Sequence, residues 1–209
     1  MSEYRSDEET VEVIANWWKE NGAFMVGTIV VVVGGVLGWN WWQSQQLASA
    51  ENAAAIYAAW ERAGDGERAT LAAELREAHP RSAYRALVAF ETARAAMDGG
   101  DSVAAREALE IVLSVQVPRQ MQDLARIRLA RVALDEGDAE AALTYLDAIG
   151  GATELSLAEE LRGDALRLLG RHDEALAAYD RALASAEMAR PLLEIKQDDL
   201  RGRLAGGRL

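Results

Sequence analysis

The sequence contains no cysteine, so it excludes a disulfide framework and any metal site built on thiolates. Its two histidines, His79 and His172, lie at separate predicted turns, one before Pro80 and the other after Gly170. Two isolated histidines without cysteines do not make up a typical zinc ligand set, and a surface imidazole at a turn is the default interpretation of each. We therefore expect no metal site and no other cofactor.

Proline and β-branched residues are also scarce. Only three prolines occur in 209 residues, and valine, isoleucine and threonine are sparse after Val36. The region after the first quarter is rich in alanine, leucine, glutamate and arginine, which favour helix. The chain lacks a Gly-x-Ser-x-Gly elbow, a phosphate-binding glycine loop and a calcium loop. The composition predicts an all-α protein that is not an enzyme.

Positive charge is in deficit, because the formal net charge is −12. Six acids and two bases in the first 42 residues give −4, which leaves −8 for the remainder. A surface of this sign disfavours nucleic acid and anionic lipid headgroups. We therefore expect no nucleic-acid partner.

Charge is absent altogether between Glu20 and Glu51, and this gap contains a long apolar run. From Ala23 to Gly38, Thr28 has the only side chain with a hydrogen-bonding group. A helix this long and apolar matches the roughly 30 Å hydrocarbon core of a bilayer. Indole rings favour the headgroup level, and five of the six tryptophans flank the run: Trp17, Trp18, Trp39, Trp41 and Trp42. The sequence predicts a single N-terminal transmembrane helix.

A cleavable signal peptide is the alternative, since Ala48-Ser49-Ala50 has a form that signal peptidase accepts. The acidic segment before the run and the length of the run favour an uncleaved anchor. Arg5 and Lys19 precede the run, whereas the first positive residue after it is Arg62. This asymmetry predicts a cytoplasmic N-terminus.

Glycines in the apolar run could mark a helix-packing face. Gly34 and Gly38 have the Gly-x-x-x-Gly spacing, and Gly27 precedes them. Such spacing lets another transmembrane helix approach closely. Glycine is also simply common in membrane helices, so both interpretations stay open.

Helix-breaking glycines recur after the apolar run, at Gly64, Gly100, Gly137 and Gly170. Residues 43–62 contain no breaker, so we expect the membrane helix to continue into the first helix of the following domain. The glycine spacing predicts helix-turn-helix units that stack as a solenoid, with glycine ending one helix and aspartate capping the next at Asp101 and Asp138. The Gly64 unit fits poorly. Small or large apolar residues recur at fixed offsets and form the predicted repeat core: Ala105, Leu109, Ala142, Leu146, Ala175, Tyr179 and Ala182.

Four residues are candidates for partner contact. Tyr57 and Trp60 lie where the stack begins, and Arg126 and Arg128 could point into a groove of the solenoid. The alternatives are that the aromatic rings are helical core and that the arginines of this run and of Arg162-Gly163-Asp164 pair between helices with Glu159, Glu160 or Asp164.

Residues 170–183, GRHDEALAAYDRAL, closely resemble the core of a tetratricopeptide repeat. Further residues resemble the YfgM family: Glu12, Trp17-Trp18, Glu20-Asn21-Gly22, Gly27, Gly38-Trp39, Trp42, Ser82-Ala83-Tyr84, Leu129-Ala130-Arg131, Leu161-Arg162-Gly163-Asp164 and Leu192-Leu193-Glu194-Ile195-Lys196. The resemblance covers nearly the whole chain. It implies an ancillary subunit of the SecYEG translocon in the bacterial inner membrane, working beside a PpiD-like periplasmic chaperone on exported polypeptides.

Together these observations divide the chain into four expected parts. Residues 1–20 form a short acidic cytoplasmic segment, 21–42 the transmembrane helix, 43–200 a periplasmic tetratricopeptide-like repeat domain, and 201–209 a disordered tail. A scaffold for another cell-envelope assembly, or a regulator acting through the N-terminal segment, are the alternative functions.

Overall fold

The computed structural model describes residues 7–150, 155–186 and 189–206. These residues form helices without a strand, so the protein has the predicted all-α fold. The helices are α1 (Asp7–Arg62), α2 (Asp65–Ala78), α3 (Ala83–Asp98), α4 (Ser102–Ser114), α5 (Arg119–Asp135), α6 (Ala139–Asp147), α7 (Leu155–Leu168), α8 (His172–Ala184) and α9 (Pro191–Gly206). The chain divides into two compact units, Met1–Asn52 and Ala53–Leu209.

Helix α1 contains both the apolar run and the residues after it. Its 56 residues run unbroken from Asp7 to Arg62, so the predicted continuation of helix through residues 43–62 is confirmed. The alanine-rich sequence after Leu47 offers neither a proline nor a glycine at which the helix could end. Helix α1 ends only where Ala63 and Gly64 follow Arg62.

The three later glycine turns have the predicted left-handed conformation. Gly100, Gly137 and Gly170 have φ angles of 77°, 82° and 72°, a region that a side chain disfavours. In each turn the residue after the glycine donates its backbone N–H to the carbonyl five residues earlier, as from Asp101 to Ala96 at 2.8 Å. Gly64 has a φ of −75° instead, which agrees with its poor fit to the repeat.

Aspartate caps the helix that follows two of these turns, as predicted. Oδ1 of Asp101 accepts a hydrogen bond from the Ala104 N–H at 2.9 Å, and Asp138 does the same for Ala141. A cap of this kind typically contributes about 1 kcal/mol. The third turn has Arg171 in that position and no side-chain cap.

Consecutive helices pack as three hairpins, α3 with α4, α5 with α6, and α7 with α8, and each hairpin contacts the next. The small and large apolar residues at the recurring offsets are all buried, with exposed fractions of 0–1%. Alanine at the closest approach lets the helix axes come together, and the larger residue fills the space beside it. The helix-turn-helix unit is therefore the repeating element of the fold.

The closing segment differs from the expected disordered tail. Helix α9 continues to Gly206, and Leu200 and Leu204 pack against the apolar cluster of α8. Burial of these leucines keeps residues 201–206 helical, so the expectation is wrong for this part. Residues 207–209 lie outside the described residues.

Candidate membrane span and contact surfaces

The first unit contains one helix that is long and apolar enough to cross a membrane among the described residues, lying within Val11–Arg62 near the N-terminus. The apolar side chains in its middle are exposed among the described residues, as shown by Phe24 and Val31, which are 79% and 73% exposed. Thr28 donates its hydroxyl to the carbonyl of Phe24 at 2.9 Å. The one polar side chain between Ala23 and Gly38 is thus satisfied within the helix, as a lipid environment requires.

Both ends of this apolar stretch present exposed indole rings. All five flanking tryptophans are about half exposed or more: Trp17, Trp18, Trp39, Trp41 and Trp42. Trp39 and Trp42 lie with ring centroids 5.2 Å apart. The Trp18 ring lies over Gly22, where an added Cβ would be 3.1 Å from its Cε2 atom. Two aromatic ends separated by an apolar stretch fit the two headgroup levels of a bilayer.

One face of the span is formed largely by glycines and therefore has few side chains. Gly27, Gly34 and Gly38 have nothing within 4 Å of an added Cβ. At about 100° per residue these glycines fall within a narrow arc of the helix, together with Val31. Val36 falls on the opposite side. The glycine face is therefore open to close contact with another helix.

The aromatic candidates at the start of the second unit form a stacked group. The Tyr57 ring lies 6.1 Å from that of Trp60 and 5.3 Å from that of Tyr84. Trp60 is only 7% exposed, and the Arg68 guanidinium lies 5.1 Å from its ring centroid. Trp60 is thus part of the core rather than an open contact residue, because it fills the space between α1, α2 and α3.

Tyr57 keeps access to a cleft beside this group. The cleft has a volume of about 550 Å³ and is lined by Tyr57, Trp60, Glu61, Arg68, Ala69, Ala72, Glu91, Thr92, Arg94 and Ala95. Burial raises the pKa of the Tyr57 hydroxyl, and a hydrogen bond to Glu61 raises it further. The hydroxyl therefore stays protonated and able to donate a hydrogen bond at neutral pH.

The candidate arginines have different surroundings. Arg126 donates from Nη1 to Oδ1 of Asp123 at 2.9 Å, and Asp123 is only 3% exposed. Arg126 therefore follows the alternative prediction of internal pairing, although its partner is a buried carboxylate of its own helix and not an acid of α7. Arg128 is exposed, and its guanidinium lies 4.9 Å from the Phe90 ring centroid. Of the two, Arg128 is the better placed to meet a partner.

Arg162 follows the alternative prediction of internal pairing. It donates to Oε1 of Glu159 at 2.7 Å and to Oδ1 of Asp147 at 2.8 Å. Glu159 is 5% exposed and also accepts from Arg181 of α8 at 2.8 Å. The pairs with Asp147 and Arg181 join α7 to α6 and to α8, so they stabilise the packing of neighbouring helices.

A second polar network joins α7, α8 and α9. Lys196 donates to Oε1 of Glu160 at 2.8 Å and to Oδ2 of Asp164 at 2.7 Å, while Arg190 also pairs with Glu160. Oδ1 of Asp164 accepts the hydroxyl of the fully buried Tyr179 at 2.8 Å. The network ties the last helix to the stack. Sequence reasoning named Asp164 as a possible partner of the arginines and Lys196 only as a family-like residue, so it did not indicate that these two residues pair with each other.

The same network predicts that the fold loses stability at high pH. Burial raises the pKa of Tyr179. Burial would lower that of Lys196, but its hydrogen bonds to Asp164 and Glu160 raise it overall. A raised pKa means that folding favours the protonated form, so stability is complete below about pH 10 and falls as the pH rises through the folded-state values. We expect the urea midpoint of the full chain in detergent to fall between pH 8 and 11.

The chain has five tyrosines and two lysines, and the pKa of Tyr57 is also raised, so a variant is needed to isolate the contribution of Tyr179. In the Tyr179→Phe variant the same pH change should lower the midpoint less than in the parent protein. An equal fall in both proteins would contradict the role of Tyr179, and a constant parent midpoint would contradict the whole explanation.

The described residues contain no group of three or more histidine, aspartate and glutamate side chains that could hold a metal ion. The surfaces described above are suited to contacts with a partner: apolar and glycine faces in α1, an aromatic cleft, and the exposed guanidinium of Arg128.

Comparison with known proteins identifies a matching family model and several similar proteins. A family model described as a tetratricopeptide repeat-like domain matches residues 15–202. An ancillary SecYEG translocon subunit from Escherichia coli (strain K12) is 29% identical over 187 residues, which cover 88% of this chain and 91% of the relative. A protein of the same name from Neisseria gonorrhoeae is 27% identical over 209 residues, covering 96% of this chain and 100% of the relative.

Proposed function

Because a family model matches most of its length, the chain belongs to the tetratricopeptide repeat-like family, and we propose that it is an ancillary subunit of the SecYEG translocon. The observation that carries this proposal is the likeness to the Escherichia coli subunit over 88% of the chain. That alignment is too long to reflect the repeats of a single hairpin. The resemblance to the YfgM family, which the sequence motifs indicated, is confirmed by these relatives.

The proposed location is the bacterial inner membrane, crossed once by residues 21–42. The positive residues Arg5 and Lys19 before the span favour a cytoplasmic N-terminus, and residues 43–200 are then periplasmic. Fusions of a periplasm-dependent reporter to Leu209 should be active, and the same reporter placed before Met1 should not.

The proposed mechanism is geometric and involves no catalysis. The span keeps the repeat unit near the channel, so weak contacts act at a high local concentration. The cleft beside Tyr57 and the exposed Arg128 are the surfaces that we assign to these contacts. Their partners would be a PpiD-like periplasmic chaperone and exported polypeptides, which have to be released after each encounter.

Purification of the full chain from membranes in mild detergent tests the assignment. SecYEG should co-purify, and a matched protein in which residues 21–42 are replaced by an unrelated transmembrane helix should retain much less of it. Recovery of one folded envelope protein without SecYEG would instead identify a scaffold for another assembly.

A further inference from the structure

Helix α1 begins before the span, and this first part has an apolar face that no described residue covers. The apolar side chains of this face are each between 50% and 65% exposed: Val11, Ile14, Trp17 and Trp18. A face of this size in one short helical segment is unusual for a surface in contact with water.

The polar side chains of the same segment lie on the other side of the helix. With about 100° between successive residues, Val11, Ile14 and Trp18 fall on one side. Asn16 and Glu20 fall on the opposite side. The segment is therefore amphipathic, in contrast to the span, which is apolar all round.

The amphipathic segment cannot simply be a deeper part of the span. Glu12, Lys19 and Glu20 are charged, and burial of such groups in hydrocarbon is costly. Trp18 is expected at the headgroup level, and Val11 is seven residues further along the helix, roughly 10 Å away. Since helix α1 is continuous, this apolar face stands outside the hydrocarbon core.

Charge decides what kind of surface can cover the face. Residues 7–20 contain five acidic side chains and one basic one. The anionic lipids of a cytoplasmic leaflet repel such a segment. The cytoplasmic loops of membrane proteins, in contrast, carry an excess of lysine and arginine.

We propose that the apolar face of residues 11–18 docks on the cytoplasmic side of the translocon, on an apolar surface bordered by basic side chains. This inference rests on the proposed function and on the proposed orientation. The docked segment and the glycine face of the span would form one continuous contact along α1. Affinity comes from burial of Ile14 and its neighbours, and the acidic side chains set the orientation.

The test uses the full chain reconstituted with SecYEG in lipid nanodiscs, with a photoreactive residue in place of Ile14 or, as a matched control on the polar side, of Asn16. The Ile14 probe should crosslink to SecYEG at least fivefold more than the Asn16 probe. The crosslink should weaken several-fold between about 0.05 and 0.5 M salt, because exposed charges are screened. In a protein with a Val11 probe, Ile14→Glu should abolish the crosslink and Asn16→Glu should not.

A further probe at Val31, on the glycine face, separates the two proposals. A SecYEG crosslink from Val31 without one from Ile14 would overturn the docking of the N-terminal segment and leave the proposed function standing. Crosslinks from Ile14 to lipid alone would overturn it in the same way. Loss of both crosslinks would overturn the proposed function as well.

Discussion

Gly163→Ala is expected to lower the free energy of unfolding of the repeat unit by roughly 2–3 kcal/mol, the cost typical of overpacking a core. A Cβ on Gly163 would lie 2.9 Å from Cζ of Tyr179 and closer still to two other ring atoms. The ring cannot move aside, because Tyr179 is fully buried and its hydroxyl is bound to Asp164. Helices α7 and α8 would have to separate. Urea denaturation of the full chain in detergent, followed by circular dichroism, measures the change.

Gly202→Ala is the matched control for this prediction. Gly202 lies inside α9, and an added Cβ has nothing within 4 Å. Alanine favours helix there by about 0.5–1 kcal/mol, so this variant should be as stable as the parent protein or slightly more so. In the double variant Gly163→Ala, Tyr179→Leu the two costs should be less than additive. Strict additivity would show that Gly163 and Tyr179 do not interact as described.

Two aspartates in the span are expected to abolish stable insertion of the protein in the membrane. Val30 and Val33 lie in the middle of the apolar stretch and are at least half exposed. Aspartate at the centre of a membrane helix costs about 2.5–3.5 kcal/mol each, and the lipid offers no partner for the carboxylates. The Val30→Asp, Val33→Asp protein should move from the membrane pellet to the carbonate-extractable fraction.

The control variant carries the same charge change outside the hydrocarbon layer. Ser44 and Leu47 lie on α1 beyond Trp42 and are exposed. Aspartates at these two positions should leave the protein in the pellet, because the side chains reach water. Equal extraction of both variants would show that charge anywhere in α1 releases the protein, and that residues 21–42 have no special role.

Local signals were sufficient for much of the fold. Gly100 ends α3 because glycine tolerates a positive φ, and Asp101 begins α4 because its carboxylate caps the helix. Both effects involve only neighbouring residues. The fixed offsets from Gly137 indicate which side of the next helix is apolar, and Ala142 and Leu146 are buried there. These features depend on residues that are close in sequence, which is why a single chain reveals them.

Contacts between distant helices were less predictable. Trp60 is buried because α2 and α3 cover it, and nothing in the residues around it indicates that. The pairing of Lys196 with Asp164 joins residues that are 32 positions apart. The length of α9 likewise depends on an apolar cluster supplied by α8, so the sequence of residues 201–206 alone indicated a tail.

Crosslinking from the span in living cells tests the central claim most directly. A photoreactive residue replaces Val31, on the glycine face, or Val36, on the opposite face. The two probes lie at similar depth in the membrane and differ in the side of the helix from which they project. A helix packed on the translocon through Gly27, Gly34 and Gly38 should give a SecYEG crosslink from Val31 that is several-fold stronger than that from Val36. No SecYEG crosslink from either position, in a protein that is present in the membrane, would contradict the account.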